Sequence, residues 1–282
     1  MWSPDPTPKC WHALGFLLIL WAPVVVGCSD VFPDPAEPPP AETARLESAA
    51  ARLDLDVATM TLVLRQGDQV RAHIALAELR LGRVTTFDPD RNYAPDSLKN
   101  FPVADLSWLR PTSGRLLRPQ DNKPALAAWS DPNVALLELE TATEAGAAGP
   151  RWHLRLAAMP KGTFRLDLEL ADPDLRAATA AETGADVQVL VDLAVAVTAT
   201  ERFYGLGEVF AGPEHRGQVR PMHMLPDFST ESGYNEVHVP IPLVIGSGGW
   251  GLFVQSRRPA IFDLGAVDPE RVHAIFNAGQ LR

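Results

Sequence analysis

The sequence predicts an all-β protein: an antiparallel β-sandwich preceded by a signal segment and a disordered proline-rich linker. Three observations carry that prediction. Apolar and polar residues alternate with period two through most of the chain after residue 55. Asp-Pro dipeptides at Asp88, Asp131, Asp172 and Asp268 punctuate the alternating runs as turn formers. Proline occurs 26 times in 282 residues, which argues against long helices. Hydrophobic residues make up 46% of the chain, enough for a core; a domain of roughly 200 residues buries about 70% of its unfolded surface.

The first element is an address. Lys9 precedes the apolar run "WHALGFLLILWAPVVVGC" (11–28), and small Gly27 stands directly before Cys28. The run is shorter than the ~20 residues of a membrane-spanning helix, and Pro23 interrupts it. Val25-Val26-Gly27-Cys28 resembles a bacterial lipobox, with Val25 where leucine is usual. The resemblance implies a lipoprotein signal peptide over 1–27 and lipidation of Cys28. An ordinary secretory signal cut elsewhere and an uncleaved anchor are the alternatives. Several acyl chains anchor stably where one binds only marginally. Ser29 after the cysteine implies, by likeness to Gram-negative lipoproteins, the outer membrane of a bacterial envelope. "SDVFPDPAEPPPAE" (29–42) is proline-rich and acidic; with Cys28 it reads as a lipid-anchored, extended tether over 28–42.

The body, 43–282, is the predicted β-sandwich. "ETARLESAAARL" (42–53) places Leu46, Ala49, Ala50 and Leu53 at helical spacing and predicts a short helix. "VATMTLVLR" (57–65) and "VRAHIALAE" (70–78) flank Gln66-Gly67-Asp68-Gln69, a hairpin signal. The segment 85–133 is turn-rich, with a weaker strand pattern, and is expected to decorate one end of the sandwich. "LLELE" (136–140), "WHLRL" (152–156) and "FRLDLEL" (164–170) alternate. In the last, Phe164, Leu166, Leu168 and Leu170 share one face, and Arg165, Asp167 and Glu169 the other, as in a half-buried antiparallel strand. Residues 172–183 have room for one or two helical turns. "VQVLVDLAVAV" (187–197) is more apolar and predicts a central strand.

Charge and composition exclude several chemistries. The net charge is -10, with no Lys/Arg block, so nucleic acid is excluded as a partner. Cys10 and Cys28 are the only cysteines; the body has neither disulfides nor a cysteine metal site. Gly205-Leu206-Gly207 is not a dinucleotide fingerprint, because Phe210 stands where the third glycine belongs. His215 and His223 are the closest histidine pair and read as loop residues rather than metal ligands. "FDPDRNYAPD" (87–96) lacks the glycine and terminal glutamate of a helix-loop-helix calcium loop and reads as a polar turn. "WSDPN" (129–133) reads as an Asp-Pro turn before a strand. Neither a cofactor nor a metal is expected.

The most informative stretch is "ERFYGLGEVFAGPEHRG" (201–217). Two glycines two apart on a strand permit a bulge or a close backbone approach. Such a kink carries the downstream loop off the sheet, where polar groups can meet a ligand. "VPIPLVI" (239–245) is apolar on both faces, and Pro240 and Pro242 lack amide donors, so they belong at an edge or bulge. Gly248, Gly249 and Gly251 surround Trp250 in a tight turn, with Trp250 read as core rather than as a sugar platform.

These residues resemble the N-terminal β-sandwich, similar to galactose mutarotase, of glycoside hydrolase family 31, the α-glucosidase and α-xylosidase family. Tyr204, Gly205, Gly207, Glu208, Arg216 and Gly217 match the family's motif. "QVRPMHMLPDFSTESGY" (218–234) stands where the family has a loop to the active site, and "HVPIPLVIGSGGWGLFVQSRRPAIFDLG" (238–265) matches its proline-rich strand and glycine-aromatic hairpin. The specific match covers 201–265. It implies that Asp227 bonds hydroxyls of a bound sugar, although Met224-Leu225-Pro226 stand where the family usually has Trp-Asn. Arg216 is expected to be structural, bonding loop carbonyls or Glu208.

The family hydrolyses α-glycosidic bonds with two carboxylates, about 5 Å apart in a retaining enzyme. Both come from a (β/α)8 barrel that follows the sandwich. No residue of this sequence receives a catalytic role, and the chain alone is expected to be inactive. The resemblance implies an accessory domain of an α-glycosidase, with carbohydrate, a separate or missing glycosidase barrel and a membrane as partners. The alternative is a non-catalytic surface lipoprotein that binds carbohydrate or protein. An apolar docking patch favours the first; a polar, finished surface favours the second.

Overall fold

The computed structural model describes residues 14–19, 43–87, 103–117, 131–171, 188–209, 212–222, 237–256 and 260–280. Seventeen antiparallel strands form two joined layers, with no α-helix among the described residues. The first layer comprises β2 (Thr43–Ser48), β3 (Ala51–Asp56), β4 (Thr61–Gln66), β5 (Gln69–Ala75), β11 (Gln188–Ala196), β17 (Arg271–Gln280), β16 (Ala260–Leu264) and β13 (Val219–Met222), in that spatial order. The second runs β6 (Arg80–Phe87), β7 (Val103–Leu116), β8 (Val134–Thr143), β9 (Trp152–Met159), β10 (Thr163–Leu170), β1 (Leu14–Ile19), β15 (Trp250–Gln255), β14 (Val237–Gly246), β12 (Phe203–Val209). They meet where β11 pairs with β6 along Gln188–Asp192. One hydrophobic core lies between the layers, with Leu53 and Leu62 of the first packed in the same cluster as Phe164, Leu166 and Trp250 of the second.

The alternating patterns become buried faces. On β10, Phe164, Leu166, Leu168 and Leu170 are at most 3% exposed. Asp167 on the opposite face is also covered, held by Arg155 and Arg165. β11 is central, paired on both sides. Gly67 and Asp68 close the β4–β5 hairpin, with Gly67 at φ 56°. Asp131 and Asp268 form Asx turns, accepting from the Asn133 and Glu270 amides at 2.8 Å. Asp88, Asp172 and residues 172–183 lie outside the described residues.

Two expectations are corrected. Residues 42–53 do not form a helix: β2 and β3 make a hairpin, Ser48 opposite Ala51, closed by Ala49 and Ala50. Ala49 takes φ 49°, a conformation usually left to glycine or asparagine, so the turn has no local signature. Burial of Leu46, Ala51, Leu53 and Leu55 decides the outcome over alanine's helix propensity. The second correction concerns 85–133, which contains the fourteen-residue strand β7. Pro111 enters it beside a register shift against β8, where a missing amide is tolerated.

The apolar run of the leader-like segment contributes β1, between β10 and β15. The rest of 1–42, Cys28 included, lies outside the described residues.

Candidate functional site

The glycine-flanked leucine sits on β12, which pairs with β14. Gly205, Leu206 and Gly207 all have positive φ, at 104°, 63° and 91°. This run turns Leu206 into the core, where it is fully buried. It also breaks the register: Gly205 stands opposite Val244 but Gly207 opposite Pro240, so β14 advances four residues while β12 advances two. The surplus bulges around Pro242, and a second shift follows before Val209 reaches Val237. The bulge presses β14 carbonyls onto the glycines. A Cβ at Gly205 would overlap the Leu243 carbonyl oxygen, and one at Gly207 the Val239 carbonyl oxygen.

Residues 212–217 cover the outer edge of β12. The His215 amide donates to the Phe203 carbonyl at 2.9 Å, and His215 Nε2 lies 3.2 Å from the Gly205 carbonyl. Glu214 Oε1 accepts from the Phe203 amide at 3.3 Å and the Arg216 amide at 2.8 Å. The Arg216 amide bond, opposed by desolvation and joined by the Phe203 amide and the Arg202 charge, holds the Glu214 carboxyl below its ordinary range. His215 is buried, and its Nδ1 has no partner among the described residues. An open strand edge invites pairing with another chain; the Glu214–His215 segment occupies this one.

Arg216 donates Nη1 to the carbonyls of Thr198, at 3.2 Å, and Glu201, at 2.7 Å, and Nη2 to that of Pro269, at 2.6 Å. Its guanidinium lies 5.5 Å from the Phe203 ring centroid. It thus ties the turn before β12 to the Asp268-Pro269 turn before β17. Tyr204 is half-buried, Glu208 is exposed, and no bond joins Glu208 to Arg216 among the described contacts. Gly217, at φ 72°, donates its amide to the Leu264 carbonyl and starts the path into β13. Asp227 and the rest of 223–236, between β13 and β14, lie outside the described residues, as does His223.

Glu201 carries a role not read from the sequence. Its carboxylate is buried beneath the β14–β15 hairpin and accepts from Trp250 Nε1 at 2.6 Å and the Gly248 amide at 3.0 Å. Gly246 and Gly248 make the space: a Cβ at either would lie 2.5 or 2.7 Å from Glu201 Oε1. Trp250 is 1% exposed and packs, tilted, against Phe203 at 6.4 Å between centroids. Arg71 of the other layer bonds the Gly248 carbonyl at 3.1 Å. The one available signal is a carboxylate two positions before the aromatic start of β12.

A second missed group lies on β11. Asp192 is fully buried within an apolar strand and accepts from Arg80 Nε at 2.8 Å and from Arg80 Nη2, while His273 Nδ1 lies 2.9 Å from its other oxygen. Burial pushes the His273 pKa down, but the bond to Asp192 and its charge, with Asp263 adding and Arg80 opposing, leave it raised. No group of three or more metal-ligating side chains gathers among the described residues.

One surface feature adjoins the kinked strand. Along β14, Val239, Ile241 and Ile245 are 52%, 45% and 42% exposed, on either side of the bulge around Pro242. Three large exposed apolar residues within seven positions of one strand are a feature of surfaces that meet a partner.

No protein-family model matches the chain, and no curated protein matches it. Solved structures do. A GH31 family sulfoquinovosidase from E. rectale, in complex with an aza-sugar inhibitor, is 15% identical with a TM-score of 0.44, over 77% of this chain and 29% of that one. A GH31 dextranase from Flavobacterium johnsoniae, complexed with glucose, is 14% identical with a TM-score of 0.30, over 82% and 24%. A cycloalternan-forming enzyme from Listeria monocytogenes, in complex with a pentasaccharide substrate, is 11% identical with a TM-score of 0.33, over 80% and 22%. The chain spans less than a third of the length of each of these three enzymes.

Proposed function

We propose that this chain is the accessory β-sandwich of an α-glycosidase, which presents the 218–234 segment to a sugar held by a barrel module. The observation that carries the reading is the exposure of three large aliphatics, Val239, Ile241 and Ile245, on the strand that follows that segment. A surface finished for solvent has no reason to expose three branched aliphatics beside a clamped, kinked strand; a surface that docks another module does. The motif supports it from the other side. Gly205-Leu206-Gly207, the Glu214–His215 edge cover and the Arg216 clamp fix the base from which the loop departs, as positioning a ligand-contacting loop requires.

In this reading Asp227 accepts hydroxyl hydrogens of the sugar, and the barrel supplies both carboxylates. Cys28 anchors the assembly to the outer membrane through its lipid, with 29–42 as spacer. The test has two arms. The purified chain is expected to leave aryl α-glucosides intact, and robust turnover that disappears in Asp227→Ala would refute the accessory role. Mixed with the product of an adjacent or out-of-frame barrel-coding segment, the chain is expected to form a complex that Ile241→Asp abolishes. A complex indifferent to Ile241→Asp removes these aliphatics from the interface.

The second reading, a non-catalytic lipoprotein that binds carbohydrate, makes a different forecast: the chain alone binds oligosaccharide, and Ile241→Asp leaves binding unchanged.

A further inference from the structure

We propose that the seam between β10 and β15 is a strand-acceptor site for an extended apolar peptide, filled by residues 14–19 of this chain until a cut before Cys28 removes them. β10 and β15 are each paired on their far sides, with β9 and β14. Among the described strands, only β1 joins them across the seam. Leu14–Ile19 runs antiparallel to Thr163–Leu168, and residues 15–18 run antiparallel to Leu252–Gln255. Take β1 away, and two rows of backbone donors and acceptors face each other about 10 Å apart, twice the usual strand spacing. That width admits one strand. A single open edge is already a template for another chain; two facing edges hold an inserted strand from both sides.

The seam also specifies what enters. Alternate positions stand opposite Phe164, Leu166 and Leu168 on β10, each at most 2% exposed, and opposite Leu252 and Val254 on β15, each at most 1% exposed. A charge there would be buried without a partner, so the occupant needs apolar residues at every second position. Leu14, Phe16 and Leu18 hold those register positions.

These six residues also belong to the leader-like segment, and a cut before Cys28 takes them from the chain. Retained, they complete the sheet. Removed, they leave a peptide-binding groove one strand away from β14 and two from the glycine kink.

The test uses the full chain with Cys28→Ser, which blocks lipoprotein processing, and a specific protease site in place of residues 33–40. The folded protein is cut, then passed over a sizing column. The N-terminal fragment is expected to travel with the body, with the amides of 163–168 and 252–255 protected from hydrogen exchange. A labelled peptide of residues 13–20, flanked by lysines for solubility, is expected to exchange into the body. The same peptide with Leu17→Pro, which lacks a ladder amide, is expected to bind at least tenfold more weakly. A fragment that stays bound and blocks the peptide, with both edges protected, supports the site equally. Release of the fragment with no binding of either peptide overturns it. So does equal binding of the two peptides, because a strand-acceptor must sense the missing amide.

Discussion

Replacing Gly207 with alanine isolates the physical basis of the kink. Two costs add. At φ 91° an L-residue is outside its allowed basins, which costs about 1–3 kcal/mol. The added Cβ would also overlap the Val239 carbonyl oxygen and lie 2.9 Å from the Ile241 amide nitrogen and 3.0 Å from the Val239 carbonyl carbon. All three are backbone atoms of β14, so no side chain can rotate away; the strand itself must shift, at about 1–3 kcal/mol by analogy with overpacked cores. The sum is roughly 2–6 kcal/mol, or about 4–24 °C in Tm at about 2–4 °C per kcal/mol for a domain of this size. Gly67→Ala is the matched control. Gly67 has φ 56°, inside the left-handed basin, and nothing lies within 4 Å of its added Cβ, so its cost is only about 1–2 kcal/mol. Urea unfolding followed by tryptophan emission, with m compared between variants, measures both. Equal midpoints for Gly207→Ala and Gly67→Ala would refute the close approach of β14.

The remaining predictions concern the clamps and the buried carboxylates. Glu201→Ala leaves Trp250 Nε1 buried without its acceptor and is expected to cost about 1–3 kcal/mol; Glu201→Gln retains an acceptor and should lose less, so equal losses in urea unfolding would contradict the assignment. Arg216→Lys cannot bridge three carbonyls from a single ammonium and is expected to lower stability by about 1–2 kcal/mol; a midpoint unchanged from the parent chain argues against the clamp. Asp192→Asn removes a fully buried carboxylate from partly buried Arg80 and His273 and is expected to cost about 3 kcal/mol in urea unfolding. The pKa of His273 is raised in the folded state, so its contribution is full below the ordinary value of about 6.5 and fades as pH rises through the raised one. The stability gap between the parent and His273→Gln should therefore be widest in mild acid and shrink toward alkaline pH; a gap that widens with pH has the wrong sign.

Much of the fold is legible because its cues are local. The alternation in "FRLDLEL" specifies which side of β10 is buried before any partner is known. Gln66-Gly67-Asp68-Gln69 announces its hairpin through a residue that tolerates positive φ. Where that cue is missing, the reading fails: Ala49 and Ala50 turn the chain with no glycine or asparagine, and the helical spacing around them is incidental. β7 was obscured in the same way, since a proline at a register shift looks like a strand breaker until its partner strand is placed.

From the sequence alone came the β class, the kink at Gly205-Leu206-Gly207 and the resemblance that links it to sugar-cleaving enzymes, because backbone freedom and side-chain period are written residue by residue. Tertiary structure alone decided that Glu201 seats Trp250 from 49 positions away, that Asp192 gathers Arg80 and His273, and that Leu14–Ile19 fills the seam between β10 and β15. Each of these depends on strands distant in sequence meeting in one register, and no short window of residues encodes which strands meet.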